Sequence, residues 1–127
     1  METNLTREKV LVIGAHPDSS RYSHMATKML LEAGHDVELL GRREGQIQGI
    51  DIQNELKNLQ PGEIDTVTLY VNPTHQEEYK KMIEALKPKR VIFNPGTVNP
   101  DWMEVLESKG IAVEAACTLV LLSTKQY

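Results

Sequence analysis

The chain has 127 residues, with 14 Lys and Arg against 18 Asp and Glu, a formal net charge of -4 and a single cysteine. That length predicts one domain over residues 1–127, with a core large enough to need neither disulfides nor metal. The acidic balance argues against nucleic-acid and membrane-surface partners, and one cysteine excludes an internal disulfide framework. No apolar stretch reaches membrane-spanning length and the N-terminal segment METNLTREK is polar, so we expect a cytoplasmic protein.

The first element is predicted to be a strand that a Gly-led loop joins to a helix. Residues 10–13, VLVI, suit a strand buried on both faces of a parallel sheet. Gly14 ends the strand, and a loop must follow because Pro17 lacks a donor and small polar residues favour turns. Ser23 is predicted to cap the helix, whose apolar residues recur at helical spacing: Ala26, Met29, Leu30 and Ala33.

This strand, loop and helix predict an anion-binding site. The first turn of a helix leaves backbone N–H groups without partners and carries partial positive charge. Gly14 has no Cβ, so a ligand can approach the backbone closely. Ser19, Ser20 and Arg21 add hydroxyl and guanidinium donors of the kind that phosphate accepts. Both the G-x-G-x-x-G fingerprint and the Walker sequence are absent, so the alternative is that Gly14 only turns the chain.

Two arginines follow the second predicted strand, residues 36–40, which begins soon after a helix end at Gly34. In sheets of this kind the end of the second strand lies beside the ribose of an adenine nucleotide. Arg42 and Arg43 at that point suit an extra phosphate, either the 3′-phosphate of coenzyme A or the 2′-phosphate of NADP. The alternative is a solvated surface pair.

The remainder of the chain alternates between strand and helix patterns. We expect strands over residues 47–52, 66–71, 90–93, 111–114 and 118–122, the last at an edge, and a turn or two of helix over 54–59. Two longer helices are predicted to begin with a capping box at Thr74 and with Asn99 followed by Pro100. Their inward faces are expected to carry Tyr79, Met82, Ile83 and Leu86 in one helix and Trp102, Val105 and Leu106 in the other.

This alternation predicts an α/β fold, a doubly wound, mostly parallel, Rossmann-like sheet between two layers of helices. Ligands bind such sheets beyond the carboxyl ends of the strands. Four strand exits with suggestive residues are therefore expected on one rim: 14–23, 41–43, 72–75 and 94–97. A terminal strand left uncovered would favour a homodimer.

With these residues in place, the chain resembles the stand-alone CoA-binding-domain proteins, small bacterial Rossmann-like proteins related to the nucleotide-binding domain of the succinyl-CoA synthetase alpha subunit. The matching segments are VIGA at 12–15, YS at 22–23, LEAGHDV at 31–37, Gly49, IDTV at 64–67, VNP at 71–73, NPG at 94–96, Gly110 with Ile111, and Cys117. Two motifs differ from the family pattern. The chain has GAH at 14–16 in place of Gly-Ala-Ser, and LGR at 40–42 in place of Val-Asn-Pro.

The resemblance implies that the first Gly loop holds a pyrophosphate and that the exit of the second strand approaches the adenosine. Carried over to this sequence, the candidate binding residues are Gly14, Ala15, His16, Ser20, Arg21 and Ser23 in the loop, Arg42 and Arg43 beside it, and Asn72, Pro73, Pro95 and Gly96 at two further strand exits. The ligand that the resemblance implies is coenzyme A or an acyl-CoA, and the alternative is NADP.

No catalytic residue and no metal site are predicted. His16 could polarise a ligand group, but we favour a loop histidine hydrogen-bonded to backbone, because no carboxylate or nucleophile pairs with it. Cys117 is interpreted as a small core residue, and no Cys/His cluster has zinc spacing. Three hypotheses follow: a module that binds CoA or an adenine nucleotide without evident catalytic machinery, an NADP-dependent redox enzyme or regulator, or an interaction protein with a decayed pocket.

Overall fold

The fold is that of a computed structural model, which describes residues 7–127. In chain order its elements are β1 Lys9–Ile13, α1 Tyr22–Glu32, β2 Asp36–Leu40, β3 Gln46–Ile47, β4 Ile50–Gln53, β5 Thr66–Leu69, α2 Pro73–Leu86, β6 Arg90–Phe93, α3 Pro100–Ser108, β7 Ala112–Ala115 and α4 Thr118–Ser123.

The strands form one seven-stranded sheet in the order β3-β4-β2-β1-β5-β6-β7. Only the short β3 runs antiparallel to its neighbour, and the remaining strand pairs are parallel. The register aligns five strand ends in one row: Leu40, Ile13, Leu69, Phe93 and Ala115. The residues after these ends therefore share one rim of the sheet, which places four predicted strand exits side by side.

Apolar clusters cover both faces of the sheet. On one face α2 and α3 contribute Ile83, Leu86, Trp102 and Leu106, which pack on Leu11, Ile13, Val67, Leu69, Val91 and Phe93. On the other face Leu30 of α1 packs with Val10, Val12, Val37, Leu39, Ile47 and Ile52, and Leu122 of α4 lies beside them. The predicted α/β fold, a mostly parallel sheet between two helical layers, is confirmed.

The last predicted strand is wrong, because residues 118–122 belong to helix α4. Its first turn is fixed from the sheet: the Thr118 backbone N–H donates to Asn94 Oδ1 at 2.8 Å. The Thr118 hydroxyl also lies 2.9 Å from that of Thr68 in β5. These buried contacts stabilise the helix and outweigh the strand propensity of an aliphatic run.

Two helix starts differ from prediction. Helix α1 begins before Ser23, with Arg21 at the N-cap and no side-chain hydrogen bond there. Helix α2 is capped by Asn72 instead of Thr74, since Pro73 fits the first helical position and Asn72 Oδ1 accepts from the His75 N–H at 3.1 Å. The prediction for α3, Asn99 as cap and Pro100 next, is confirmed.

Smaller differences concern the segment after β2 and two side chains. The predicted strand at 47–52 is a hairpin of β3 and β4, which turns at Gln48 and Gly49 with φ of 52° and 81°. Residues 54–59 are not helical. Val105, predicted to face inward, is 42% exposed, since the buried stripe of α3 runs through residues four apart, Trp102 and Leu106. Ala33, which the sequence places among the apolar residues at helical spacing, follows the last residue of α1 and is exposed.

Candidate ligand-binding site

Two glycines let the first loop approach its neighbouring strand exits closely: Gly14 approaches the exit of β5, and Gly41 brings the exit of β2 against the loop. Gly14 has a φ of 92°, and a Cβ there would lie 2.9 Å from the Tyr70 carbonyl oxygen and 3.1 Å from Val71 Cγ1. A Cβ on Gly41 would collide with the Ala15 carbonyl oxygen. The backbone can therefore pass this closely only where both residues lack a side chain. The contact between Gly41 and Ala15 sets the arginines after Gly41 beside the loop.

Two amides that can serve an anion are those of Tyr22 and Ser23 at the start of α1. The Gly14 and Ala15 N–H groups both donate to the Leu40 carbonyl, at 2.9 and 3.0 Å, so the turn itself offers no donor at these two positions. Tyr22 and Ser23 are the first two residues of α1. Their N–H groups have no intrahelical acceptor and point out of the helix end, where the peptide dipoles favour negative charge. The start of α1 thus offers donors for an anion that Gly14 and Ala15 of the turn do not.

A cavity of about 300 Å³ opens between the loop and the exit of β2. We call it the arginine cavity; its lining includes Gly14, Ala15, His16, Arg21, Arg42, Arg43 and Glu78. Within residues 7–127, Arg21 and Arg43 form no ion pair, whereas Arg42 donates to a carboxylate oxygen of Glu78. The cavity therefore holds three guanidinium groups against one carboxylate, a balance that suits a polyanion.

The pair of Arg42 and Glu78 is open to water, with side chains 66% and 46% exposed. Its hydrogen bond raises the pKa of Arg42 above the ordinary value. Exposed pairs of this kind contribute about 0–1 kcal/mol, so a phosphate group can replace Glu78 at little cost.

His16 lies in this cavity as a neutral imidazole. The Asp18 backbone N–H donates to His16 Nδ1 at 3.0 Å, which assigns the ring proton to Nε2. Partial removal from water lowers the pKa of His16, and the positive charges of Arg21 and Arg43 lower it further. The sequence favours a loop histidine that is hydrogen-bonded to the backbone, and the bond from the Asp18 N–H agrees with that interpretation.

Ser20 is held by the loop itself. Its backbone N–H and its hydroxyl both donate to Asp18 Oδ1, at 2.9 and 2.8 Å. These two bonds lower the pKa of Asp18 and close a turn. The hydroxyl that was predicted to serve phosphate is thus directed at a carboxylate.

A second cavity of about 330 Å³ continues the first one around the start of α1. We call it the α1 cavity; it shares Gly14, Arg21 and Tyr70 with the arginine cavity and adds Tyr22, Ser23, Asn72, Pro95, Gly96 and Thr97. Of the predicted site residues, Pro73 and Ser20 line neither cavity, and Pro73 begins α2 on the exposed surface. The other ten therefore form one continuous groove along the rim.

Two polar side chains that support this rim have no direct role in the groove. Gln76 is fully buried; its Nε2 donates to the carbonyls of Val71 and Thr97, at 2.9 and 2.7 Å, and its Oε1 accepts from Asn99. Asn94, one of the exit residues noted in the sequence, is 1% exposed and binds the β5 backbone and Thr118. Gln76 could have been found as a polar residue seven positions before Ile83 on the apolar stripe of α2.

Among residues 7–127, no helix is long and apolar enough to cross a bilayer. The same part of the chain brings no three His, Cys, Asp or Glu side chains together as a potential metal site. No functionally curated protein matches the sequence.

Solved structures share the fold. The crystal structure of an uncharacterized protein is 42% identical, with a TM-score of 0.91, over 96% of this chain and 99% of that one. A Thermus thermophilus protein is 23% identical, with a TM-score of 0.81, over 95% and 91% of the two chains. A hypothetical protein of Pyrococcus horikoshii OT3 is also 23% identical, with a TM-score of 0.81, over 94% and 84%.

The sequence also matches a family described as a CoA binding domain, over residues 8–123. That span runs from β1 to the end of α4 and includes both cavities of the groove. The chain therefore belongs to the CoA binding domain family.

Proposed function

We propose that the chain, as a single domain, binds coenzyme A or an acyl-CoA in the groove formed by the arginine cavity and the α1 cavity, and that it acts as a binding module without catalytic machinery of its own. The observation that carries the proposal is the placement of Arg21, Arg42 and Arg43 around Gly14 in one cavity. Membership of the CoA binding domain family supports it independently.

The charges in the groove match the anionic groups of coenzyme A. Its 3′-phosphate lies on the adenosine ribose, and the arginine pair after β2 stands where such a ribose is expected in a doubly wound sheet. Its pyrophosphate fits the amides of Tyr22 and Ser23 at the start of α1, with Arg21 beside them. Each anionic group thus has both a charged donor and a place along the rim.

Calorimetric titration of the purified chain with coenzyme A, acetyl-CoA, 3′-dephospho-CoA, NADPH and ADP tests the proposal. We expect coenzyme A and acetyl-CoA to bind and 3′-dephospho-CoA to bind at least tenfold more weakly, because a charged hydrogen bond is worth roughly 1.5–3 kcal/mol. Binding of NADPH alone would favour a redox enzyme or regulator. Failure of all five to bind would overturn the proposal and favour an interaction protein.

Variants locate the site. Replacing both Arg42 and Arg43 by Ala should weaken the binding of coenzyme A by roughly 1–3 kcal/mol for each charged hydrogen bond lost. Arg7→Ala is the matched control, because Arg7 precedes β1 at the opposite end of the strands, is 70% exposed and pairs with Asp36. Equal affinity in the double variant and the control would remove the arginine pair from the site.

A further inference from the structure

A third cavity lies at the exits of β6 and β7, beyond the groove. It measures about 310 Å³ and is lined by Tyr22, Tyr70, Asn94, Pro95, Cys117 and Leu119; we call it the thiol cavity. Among the described residues, 7–127, no charged side chain lines it, in contrast to the arginine cavity. The amide of Asn94 is already bonded inside the protein, so the surface offered to a ligand is aromatic, aliphatic and thiol.

The thiol cavity continues the groove. It shares Tyr22, Tyr70 and Pro95 with the α1 cavity, which in turn shares Gly14 with the arginine cavity. Along the rim the lining therefore changes from guanidinium groups, through the start of α1, to apolar side chains. Tyr22 lines both the α1 cavity and the thiol cavity, and this residue is 69% exposed.

Resting on the proposed function, we propose that the thiol cavity receives the thioester end of an acyl-CoA, with the ligand sulfur near Cys117 and a short acyl group against Leu119. An acyl-CoA has the same order of polarity as the rim: phosphates at one end, an amide-containing arm, and an apolar acyl group at the other end. The reverse orientation would place phosphates in a cavity without cations and leave three arginines facing an acyl chain.

The size of the cavity limits the acyl group. Pockets that hold whole small ligands measure about 300–1,000 Å³, so a volume of about 310 Å³ suits one end of a long ligand. Each methylene that the cavity buries should raise affinity about fourfold. We therefore expect affinity to rise from acetyl-CoA to butyryl-CoA and to stop rising for long acyl chains.

Cys117 reports on this cavity without any mutation, because it is the only cysteine in the chain and is partly accessible. The rate of its alkylation by iodoacetamide is measured in the free protein, with saturating acetyl-CoA or butyryl-CoA, and with saturating adenosine 3′,5′-bisphosphate. The acyl-CoAs should slow alkylation at least tenfold. The bisphosphate lacks the thioester arm and should bind while it leaves the rate unchanged.

The outcomes separate the two proposals. If acetyl-CoA binds in the calorimeter but leaves alkylation as fast as in the free protein, the thiol cavity is not its acyl site while the proposed function stands. If coenzyme A, acetyl-CoA and the bisphosphate all fail to bind, the proposed function fails and this inference fails with it.

A second measurement applies where alkylation of the free protein is too slow to follow. Cys117→Met fills the cavity and should lower the affinity for butyryl-CoA at least tenfold. The affinity for adenosine 3′,5′-bisphosphate should be unchanged. Val120→Met is the control, since Val120 is 53% exposed and lies outside the cavity. Should Cys117→Met not fold, Leu119→Phe, which also adds volume to the lining, serves in its place. Unchanged affinity for butyryl-CoA in a folded cavity variant would overturn the inference.

Discussion

The Arg42 guanidinium donates a hydrogen bond to the carboxylate of Glu78, a residue 36 positions later in the chain. Helix α2 thus places a negative charge in the cavity that the arginines define. In the proposed complex a phosphate group competes with Glu78 for Arg42. The strength of the pair between Arg42 and Glu78 therefore limits the affinity of this cavity for an added anion.

Glu78→Gln should strengthen coenzyme A binding twofold to fivefold. The substitution releases Arg42 from an exposed pair worth about 0–1 kcal/mol and removes a like charge from the phosphate. Titration at low and high ionic strength measures the effect, which should shrink as salt rises. Glu77→Gln is the control, because Glu77 pairs with Lys80 and does not line the cavity. The same gain in both variants would mean that only net charge matters.

Gly14→Ala should destabilise the chain more than Gly62→Ala. Both residues have a positive φ, 92° and 86°, so Ala costs about 1–2 kcal/mol of backbone strain at either site. At Gly62 the new Cβ meets nothing within 4 Å, whereas at Gly14 it meets the Tyr70 carbonyl at 2.9 Å. That collision should add about 1–3 kcal/mol. Urea unfolding of both variants measures the difference, and equal losses would show that β5 yields to the methyl group.

Gln76→Met should cost about 2–4 kcal/mol of unfolding free energy. Met fits the space but leaves the carbonyls of Val71 and Thr97 without their donor in a buried site, and such groups cost about 1–3 kcal/mol each. Urea unfolding again measures the loss. Gln60→Met, at an exposed position, should change stability by less than about 0.5 kcal/mol. A loss below about 1 kcal/mol at Gln76 would mean that water replaces the amide.

The sheet could be predicted because its strands are short apolar runs that end at Gly, Asn or Pro, and parallel strands bring those ends to one rim. The same Asn-Pro signal was recognised at Asn99 and missed at Asn72, where the capping box at Thr74 competed with it. Local patterns of similar strength cannot be ranked without the tertiary contacts that choose between them.

Most of the remaining errors have a common physical cause, because long-range contacts decide them. Helix α4 forms where the run 118–122 reads as a strand, since Asn94 and Thr68 hold its first residue. The partner of Arg42 lies in another element, so no spacing rule points to Glu78. The use of the Gly14 amide by the Leu40 carbonyl leaves no trace in composition or periodicity. The turn of Ser20 toward Asp18 is the local exception, since the two residues are two positions apart and Asp18 is a turn-forming residue.

His16 gives the site a pH dependence whose sign follows from its lowered pKa. In the folded chain the pKa lies below the ordinary 6.5, because of partial burial and the charges of Arg21 and Arg43. The unfolded chain therefore binds more protons as pH falls below 6.5, and the stability that neutral His16 contributes is lost in that direction. The free energy of unfolding of the wild type should fall relative to His16→Gln over this range, as urea unfolding at several pH values will show.

A bound polyanion reverses the effect on His16. Phosphate groups in the arginine cavity offset the charges of Arg21 and Arg43 and favour the imidazolium, so coenzyme A binding should be coupled to proton uptake. The affinity ratio of wild type to His16→Gln should therefore grow as pH falls from about 8 to about 6. The 3′-phosphate of the free ligand titrates near pH 6 as well, but this titration is the same in both experiments and cancels in the ratio. A ratio that stays constant with pH would mean that the bound phosphates lie too far from His16 to affect its protonation.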